Sequence, residues 1–215
     1  MTREQGFFIT LEGVDGCGKT SMAGRLAVYL RQTGLSVLLT REPGGSALGA
    51  ELRRAVLHGN EILDPRTETL LFAADRAQHM ASLILPALER GEVVICDRFT
   101  DSTLAYQGGG RGLDAAELEQ INSFASFGLR PDITLYLRAP LKVAFSRREG
   151  QADRLEREEQ AFFERVAAFY DGLALADPAR IVTVDASPGP DEVWEQIVSA
   201  LKRCLPARFL PGGGP

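Results

Sequence analysis

Residues 12 to 20 read EGVDGCGKT, and their types and order suit one kind of chemistry. Gly13, Gly16, Gly18, Lys19 and Thr20 fill the pattern G-x-x-x-x-G-K-[ST]. Glycines let backbone N–H groups converge on phosphate oxygens, a following helix adds its positive N-terminus, Lys19 reaches the outer phosphates, and Thr20 is a magnesium ligand. Gly13, Val14, Asp15, Gly16, Cys17, Gly18, Lys19 and Thr20 are therefore candidate contacts for a nucleoside triphosphate with Mg2+. Given 22 Gly and 3 Lys in 215 residues, chance produces only about 0.003 such matches, so the pattern is not accidental. One residue is out of keeping: Asp15 puts a carboxylate in a loop that cradles anions.

More cations follow than one triphosphate needs. Arg41 stands in TREPGG, and Arg98 follows Asp97 in DRFTD; residues 147 to 157, RREGQADRLER, carry Arg147, Arg148, Arg154 and Arg157. Half-buried arginines without anionic partners are costly, so Arg41 and Arg98 suggest a second phosphorylated ligand, the acceptor. The plainer alternative pairs Arg41 with Glu42, and Arg98 with Asp97 or Asp101. The 147 to 157 stretch, with Gly150 inside it, reads as a mobile lid, because phosphoryl transfer needs positioning, neutralised charge and exclusion of water. Arg148 and Arg154 are the expected catalytic lid residues, beside Lys19 and Arg98. Phe72 and Arg76, four apart, share a helix face on which a ring and a guanidinium could hold a base; the alternative puts Phe72 in the core and Arg76 on the surface. TDSTLAYQGGGRG (100 to 112) reads as a glycine-rich functional loop presenting Ser102, Tyr106 and Gln107.

Elements that position these residues follow from periodicity. FFITLE (7 to 12), SVLLT (36 to 40), EVVICD (92 to 97), ITLYLR (133 to 138) and RIVTVD (180 to 185) read as buried strands. Residues 19 to 33, 46 to 57, 66 to 90, 114 to 127, 140 to 148, 156 to 176 and 190 to 204 suit helices, with Asp64-Pro65 and Asp114 as starts. Alternation of the two gives an α/β fold: a five-stranded parallel sheet with helices on both faces, its ligands beyond the carboxyl ends of the strands. One domain spanning 1 to 205 is expected, with the tail 206 to 215 frayed. A net charge of −5 gives no footprint for nucleic acid or an anionic membrane, and no apolar run is long enough to span a bilayer. Cys17, Cys96 and Cys204 suggest no disulfide framework, and His58 and His79 share no metal-ligand spacing; the cytoplasm is the expected compartment.

Three phosphate-loop classes compete. A switch GTPase reads guanine with Asn-Lys-x-Asp, yet none of Lys19, Lys142 and Lys202 follows an Asn. A motor-type ATPase places a carboxylate after the third strand to position water, where Arg98 stands here. Those features favour a phosphoryl transferase, with a kinase for some nucleoside monophosphate as the open class and a partner-binding ATPase or switch as the alternative.

In order along the chain, EGVDGCGKT, TREPGG, LLFAADRAQH, DRFTDSTLAYQGGGRG, RPDITLYL and ADRLE resemble the thymidylate kinases, from about Phe7 to Leu201. The resemblance implies a P-loop kinase fold and transfer of the γ-phosphate of ATP to thymidine monophosphate, with magnesium, usually by a homodimer. It implies that Arg41 and Arg98 grip the acceptor phosphate, that Asp97 organises magnesium and its water alongside Thr20, and that Phe72 stacks on thymine. Arg76 with Ser102 or Thr103 would read the polar edge of the base, and Tyr106 would crowd the sugar 2′ position. Asp15 would face the acceptor sugar, unless it is a turn former shaping the loop. With VDGC lacking a basic residue and RREGQADR carrying three arginines, the chain is similar to the bacterial, lid-arginine group.

Overall fold

The structure, a computed structural model, describes residues 6–59, 61–148, 153–206 and 209. Strands β1 (Phe7–Glu12), β2 (Val37–Arg41), β3 (Val93–Asp97), β4 (Ile133–Arg138) and β5 (Ile181–Asp185) form one parallel sheet in the order β2-β3-β1-β4-β5. The central strands are buried along nearly their whole length, as uninterrupted apolar runs require when helices cover both faces. The expectation of five buried strands fails at the two edges. β2 and β5 expose Leu39, Arg41, Thr183 and Asp185, because an edge strand has a neighbour on one side only.

Alternation along β1 and β3 divides the core. Ile9, Leu11 and Ile95 pack on one face with Leu26, Leu30, Phe163 and Val166; Phe8, Val94 and Cys96 pack on the other with Met80, Ile84 and Phe99. Around the sheet lie α1 (Lys19–Gln32), α2 (Ala47–His58), α3 (Pro65–His79), α4 (Leu85–Glu89), α5 (Thr100–Thr103), α6 (Ala115–Ala125), α7 (Leu141–Ser146), α8 (Gln160–Ala176) and α9 (Pro190–Cys204). Asp64 caps α3, accepting from Arg66 N at 2.9 Å ahead of Pro65, and Asp114 caps α6, accepting from Glu117 N at 3.0 Å. Both are the helix starts that the sequence signals.

Two segments depart from expectation. The helix expected over 66 to 90 is interrupted by a π-helical turn at Met80–Ile84. Pro86 supplies the reason: it lacks an N–H and crowds the carbonyl four residues back, so the helix widens just before it. The stretch 100 to 112 is mostly not a loop. α5 runs straight into a π-helical turn, Leu104–Gly110, that packs against α8. Its glycines serve close approach: a Cβ on Gly109 would lie 2.7 Å from Phe169 Cβ and 3.0 Å from Arg165 O. Gly109→Ala is therefore expected to destabilise the fold by about 1–3 kcal/mol, the usual cost of overpacking. Denaturant midpoints check this, and an unchanged midpoint would mean that the two helices separate freely.

Residues 149 to 152 of the expected lid lie outside the described residues, as does most of 206 to 215. Within the latter, Phe209 is buried, its ring centroid 5.7 Å from that of Phe7.

Candidate active site

The loop after β1 lies at the carboxyl end of the central strand, where the strand order reverses. Gly16 is left-handed at φ +87°, and a Cβ there would sit 1.9 Å from Ala144 O, so only glycine fits beneath α7. α1 starts without a side-chain cap and without an acid in its first turn, which leaves its N-terminal dipole open to an anion. The buried Lys19 Nζ donates to Val14 O at 2.8 Å, held inside the loop. Thr20 Oγ1 donates to Asp97 Oδ2 at 2.5 Å, while Asp97 Oδ1 is buried with no partner.

Asp15 and Arg98 form the hinge of the site. Arg98 has a positive φ of 70°, rare for a bulky residue, and is held there from several sides. Its N–H donates to Leu11 O at 3.0 Å; Nη1 donates to Gly13 O at 3.0 Å and Ser102 Oγ at 3.1 Å; Nη2 donates to Asp15 Oδ1 and to Tyr106 OH, the latter at 3.1 Å. Tyr106 OH in turn donates to Asp15 Oδ2 at 2.7 Å. Burial alone would raise the Asp15 carboxyl, but the charges of Arg98 and Lys19 outweigh it and hold the group well below the usual carboxylate range. Asp15 is thus a charged partner rather than a bare turn former.

Two clefts meet at this pair. The smaller, about 620 Å³, is lined by Asp15, Phe72, Arg76, Arg98, Ser102, Thr103, Tyr106 and Gln107 among others. The larger, about 1500 Å³, is lined by Asp15, Gly16, Cys17, Gly18, Lys19, Thr20, Arg41, Asp97, Arg98 and Arg148, and runs on to Arg147, Pro188 and Pro190. Arg41 is exposed at the end of β2 and does not pair with Glu42, which bonds Arg76 Nε at 2.8 Å and His79 Nδ1 at 3.0 Å instead. Phe72 is half-buried on the cleft wall and Arg76 is buried, the reverse of the arrangement with Phe72 in the core and Arg76 outside. Arg76 Nη1 also donates to Thr103 Oγ1 at 3.1 Å and Asn122 Oδ1 at 2.5 Å, so the guanidinium is fixed in orientation on the cleft wall.

The lid arginines diverge. Arg148 lies with Cζ 3.8 Å from the Phe145 ring centre and 4.6 Å from that of Phe163, reaching Asp15 O at 3.4 Å, with Nη2 buried and unpartnered. Arg154 lines neither cleft. Its Nη2 donates to Glu68 Oε2 at 2.5 Å and its Nε to Val56 O at 2.8 Å. Gln107 donates to the other Glu68 oxygen at 2.8 Å, and Arg111 also reaches that carboxylate, so Glu68 ties Arg154 to the wall of the smaller cleft. Arg147 anchors the approach to α9, donating to Ala186 O at 2.7 Å and Ser187 O at 2.9 Å.

Other residues of the site carried no sequence signal. Arg53 on α2 lines both clefts; burial and the charges of Arg41 and Arg98 depress its pKa, marking a crowd of cations around one spot. Glu12 lies in the quoted motif but outside the phosphate pattern. It is fully buried, and burial with the nearby Asp101 charge pushes it up to about 7. Glu42, His79 and Cys96 place ligand atoms within 4.8 Å of one another, yet His79 Nε2 already meets Thr40 Oγ1 at 2.7 Å and Cys96 Sγ donates to Arg98 O at 3.1 Å. They form a hydrogen-bonded wall behind the smaller cleft.

Asp75, buried in that wall, accepts from Gly44 N at 3.1 Å through Oδ1 and leaves Oδ2 without a partner. Burial and the neighbouring Glu42 charge raise its pKa from 3.8 to about 6. A carboxyl with a raised folded-state pKa costs stability once it ionises, so the penalty is absent below about pH 4 and complete above about pH 6. Asp75→Asn is expected to stabilise the fold by about 1–3 kcal/mol at pH 8 and by nothing at pH 4. Urea unfolding at both pH values checks this; equal shifts at both would show the carboxyl to be unperturbed.

Comparisons with known proteins point one way. A family model described as thymidylate kinase matches residues 11–197. A thymidylate kinase of Synechococcus sp. (strain JA-2-3B'a(2-13)) is 50% identical over 199 residues, covering 93% of this chain and 96% of its own. One from Thermomicrobium roseum is 48% identical over 204 residues, covering 92% and 97%. The crystal structure of thymidylate kinase from Ehrlichia chaffeensis superposes with a TM-score of 0.77 at 33% identity, over 92% of this chain and 99% of that one.

Proposed function

The chain belongs to the thymidylate kinase family, and from that premise we propose how its residues transfer the γ-phosphate of ATP to thymidine monophosphate (dTMP), giving ADP and dTDP. The observation that carries the proposal is the meeting of two clefts at Asp15 and Arg98, one walled by the phosphate loop and the other by Phe72 and Arg76. Two phosphorylated ligands entering from opposite sides bring their phosphates together at that junction, the arrangement an in-line transfer needs.

On the donor side, the loop from Gly13 to Thr20 cradles the triphosphate, Lys19 neutralises its outer phosphates, and the nucleoside extends toward Arg147, Pro188 and Pro190. Thr20 Oγ1 and the unpartnered Asp97 Oδ1 are hard oxygen donors at the mouth of the loop, a set that fits Mg2+. An ion held by these residues would lower the negative charge that the phosphates present to an incoming nucleophile. On the acceptor side, Arg41, Arg53 and Arg98 hold the dTMP phosphate, which explains why cations crowd at one point. Phe72 stacks on thymine, and Arg76 with Thr103 and Ser102 meets its polar edge. Gln107 steadies that wall through Glu68, Tyr106 crowds C2′, and Asp15 meets the 3′-hydroxyl. Arg148 supplies the lid charge at the transferring phosphate; Arg154 joins it when its pair with Glu68 opens.

We further propose a homodimer working in the cytoplasm. Leu70 on α3, with Phe124 on α6 and Phe127 just beyond it, supports the first: these apolar side chains are exposed on two helices that pack together. Cys17, Cys96 and Cys204, all free thiols, suit a reducing compartment. No helix among the described residues is long and apolar enough to cross a membrane.

The test is ADP formation with each nucleoside monophosphate in turn. dTMP is expected to give the highest kcat/KM, above dUMP, dCMP, AMP and GMP. ADP release that is equally fast without any acceptor would instead make this an ATPase.

A further inference from the structure

Glu12 ends β1, one residue before the phosphate loop, and lines neither cleft. Its side chain is nevertheless surrounded by the groups that hold Arg98. Oε1 accepts from Phe99 N at 2.7 Å, the backbone N–H that follows the strained Arg98. Oε2 accepts from Ser102 Oγ at 2.6 Å and from Tyr170 OH at 2.9 Å. Those two hydroxyl oxygens are 2.8 Å apart, and both face Arg98 Nη1, at 3.1 Å and 3.5 Å.

A hydroxyl has one proton and a guanidinium can only donate. Ser102 and Tyr170 can therefore accept from Arg98 only while their own protons point elsewhere. An ionised carboxylate, which can only accept, gives both protons a common destination. We infer that Glu12 is a positioning residue for the acceptor arginine: by taking the protons of Ser102 and Tyr170 it turns their lone pairs toward Arg98, and through Phe99 it fixes the turn from which Arg98 projects. The inference rests on Arg98 holding the dTMP phosphate, as proposed above. It assigns work to Tyr170, a residue of α8 that lines neither cleft and lies 158 positions from Glu12 in sequence.

Glu12→Gln isolates the effect. The amide keeps an oxygen for Phe99 N but presents N–H groups to two hydroxyls, so at least one must turn its proton toward Arg98. Tyr170→Phe removes one of the oriented acceptors while leaving the carboxylate, and it serves if Glu12→Gln does not fold. Steady-state kinetics of the full chain at pH 8.5, above the titration of Glu12, are compared for both variants, the double variant and Arg98→Ala. Expected results are a KM for dTMP raised about tenfold by Glu12→Gln and about threefold by Tyr170→Phe, with KM for ATP within twofold of the parent. In the double variant the two effects fall short of multiplying, because the Glu12→Gln effect runs in part through the Tyr170 hydroxyl that Tyr170→Phe removes. Unchanged KM for dTMP in the folded single variants, equal losses for ATP and dTMP, or fully multiplicative effects would overturn the inference. Arg98→Ala separates the two levels: if it leaves the KM for dTMP unchanged, the role of Arg98 itself is wrong, whereas a large rise there with none in the other variants refutes Glu12 alone.

Discussion

Replacing Lys19 by alanine lowers kcat by about 10³-fold or more, with the fold intact. Lys19 is 5% exposed and held by Val14 O inside the loop, so its ammonium reaches the triphosphate already desolvated and aimed. A charge in a water-poor site stabilises the developing negative charge of transfer far more than it would in bulk solvent. Loss of one such donor costs about 10²–10³ in rate, and Lys19 acts on the phosphates that carry most of the charge. Arginine is not an adequate replacement, because a planar fork does not reproduce the compact ammonium that Val14 O and Cys17 Sγ hold in the loop. Steady-state and single-turnover rates with dTMP, beside thermal melts of both proteins, give the answer. A Lys19→Ala enzyme within tenfold of the parent would remove the side chain from the chemistry.

Arg148→Ala lowers kcat by about 10³-fold, or roughly 4 kcal/mol of barrier, while the KM for dTMP changes less than threefold. Arg148 is the lid cation already beside the phosphate loop, parked over Phe145 and Phe163 with one nitrogen unpartnered. A buried guanidinium nitrogen without an acceptor is costly where it stands, and a phosphate oxygen arriving in the larger cleft relieves that cost. Its contribution grows as charge moves in the transition state, which places the loss in kcat rather than in binding. The same substitution at Arg154 has a smaller effect, since that residue is committed to Glu68 and Val56 O. Equal losses at the two positions, or a loss at Arg148 that appears only in KM, would show that the resting geometry does not report the working one.

The phosphate loop and its place on the sheet are legible in the sequence. Phosphate-loop chemistry is local: glycine spacing, the lysine and the threonine all fall within nine residues, and a strand before them with a helix after them sets their direction. Asp97 and Arg98 were legible for a similar reason, since strand ends in a parallel sheet share one edge. The smaller cleft is less so. Phe72 and Arg76 at helical spacing suit a core and a surface equally well, and only packing decided that both face the smaller cleft. The stretch 100 to 112 reads as a loop because it is glycine-rich and follows the third strand. Gly109 and Gly110 are there because α8 passes too close for any larger residue.

What the sequence determined alone was the set of elements and the chemistry of each short motif, because strand and helix periodicity and phosphate cradling depend on neighbours within a few residues. Tertiary structure alone decided which charges face each other. Arg98 meets Asp15 across 83 positions, Arg154 meets Glu68 across 86, and Tyr170 meets Glu12 across 158. Those pairings arise where separate strand ends and helices converge, and no local pattern records the distance between them.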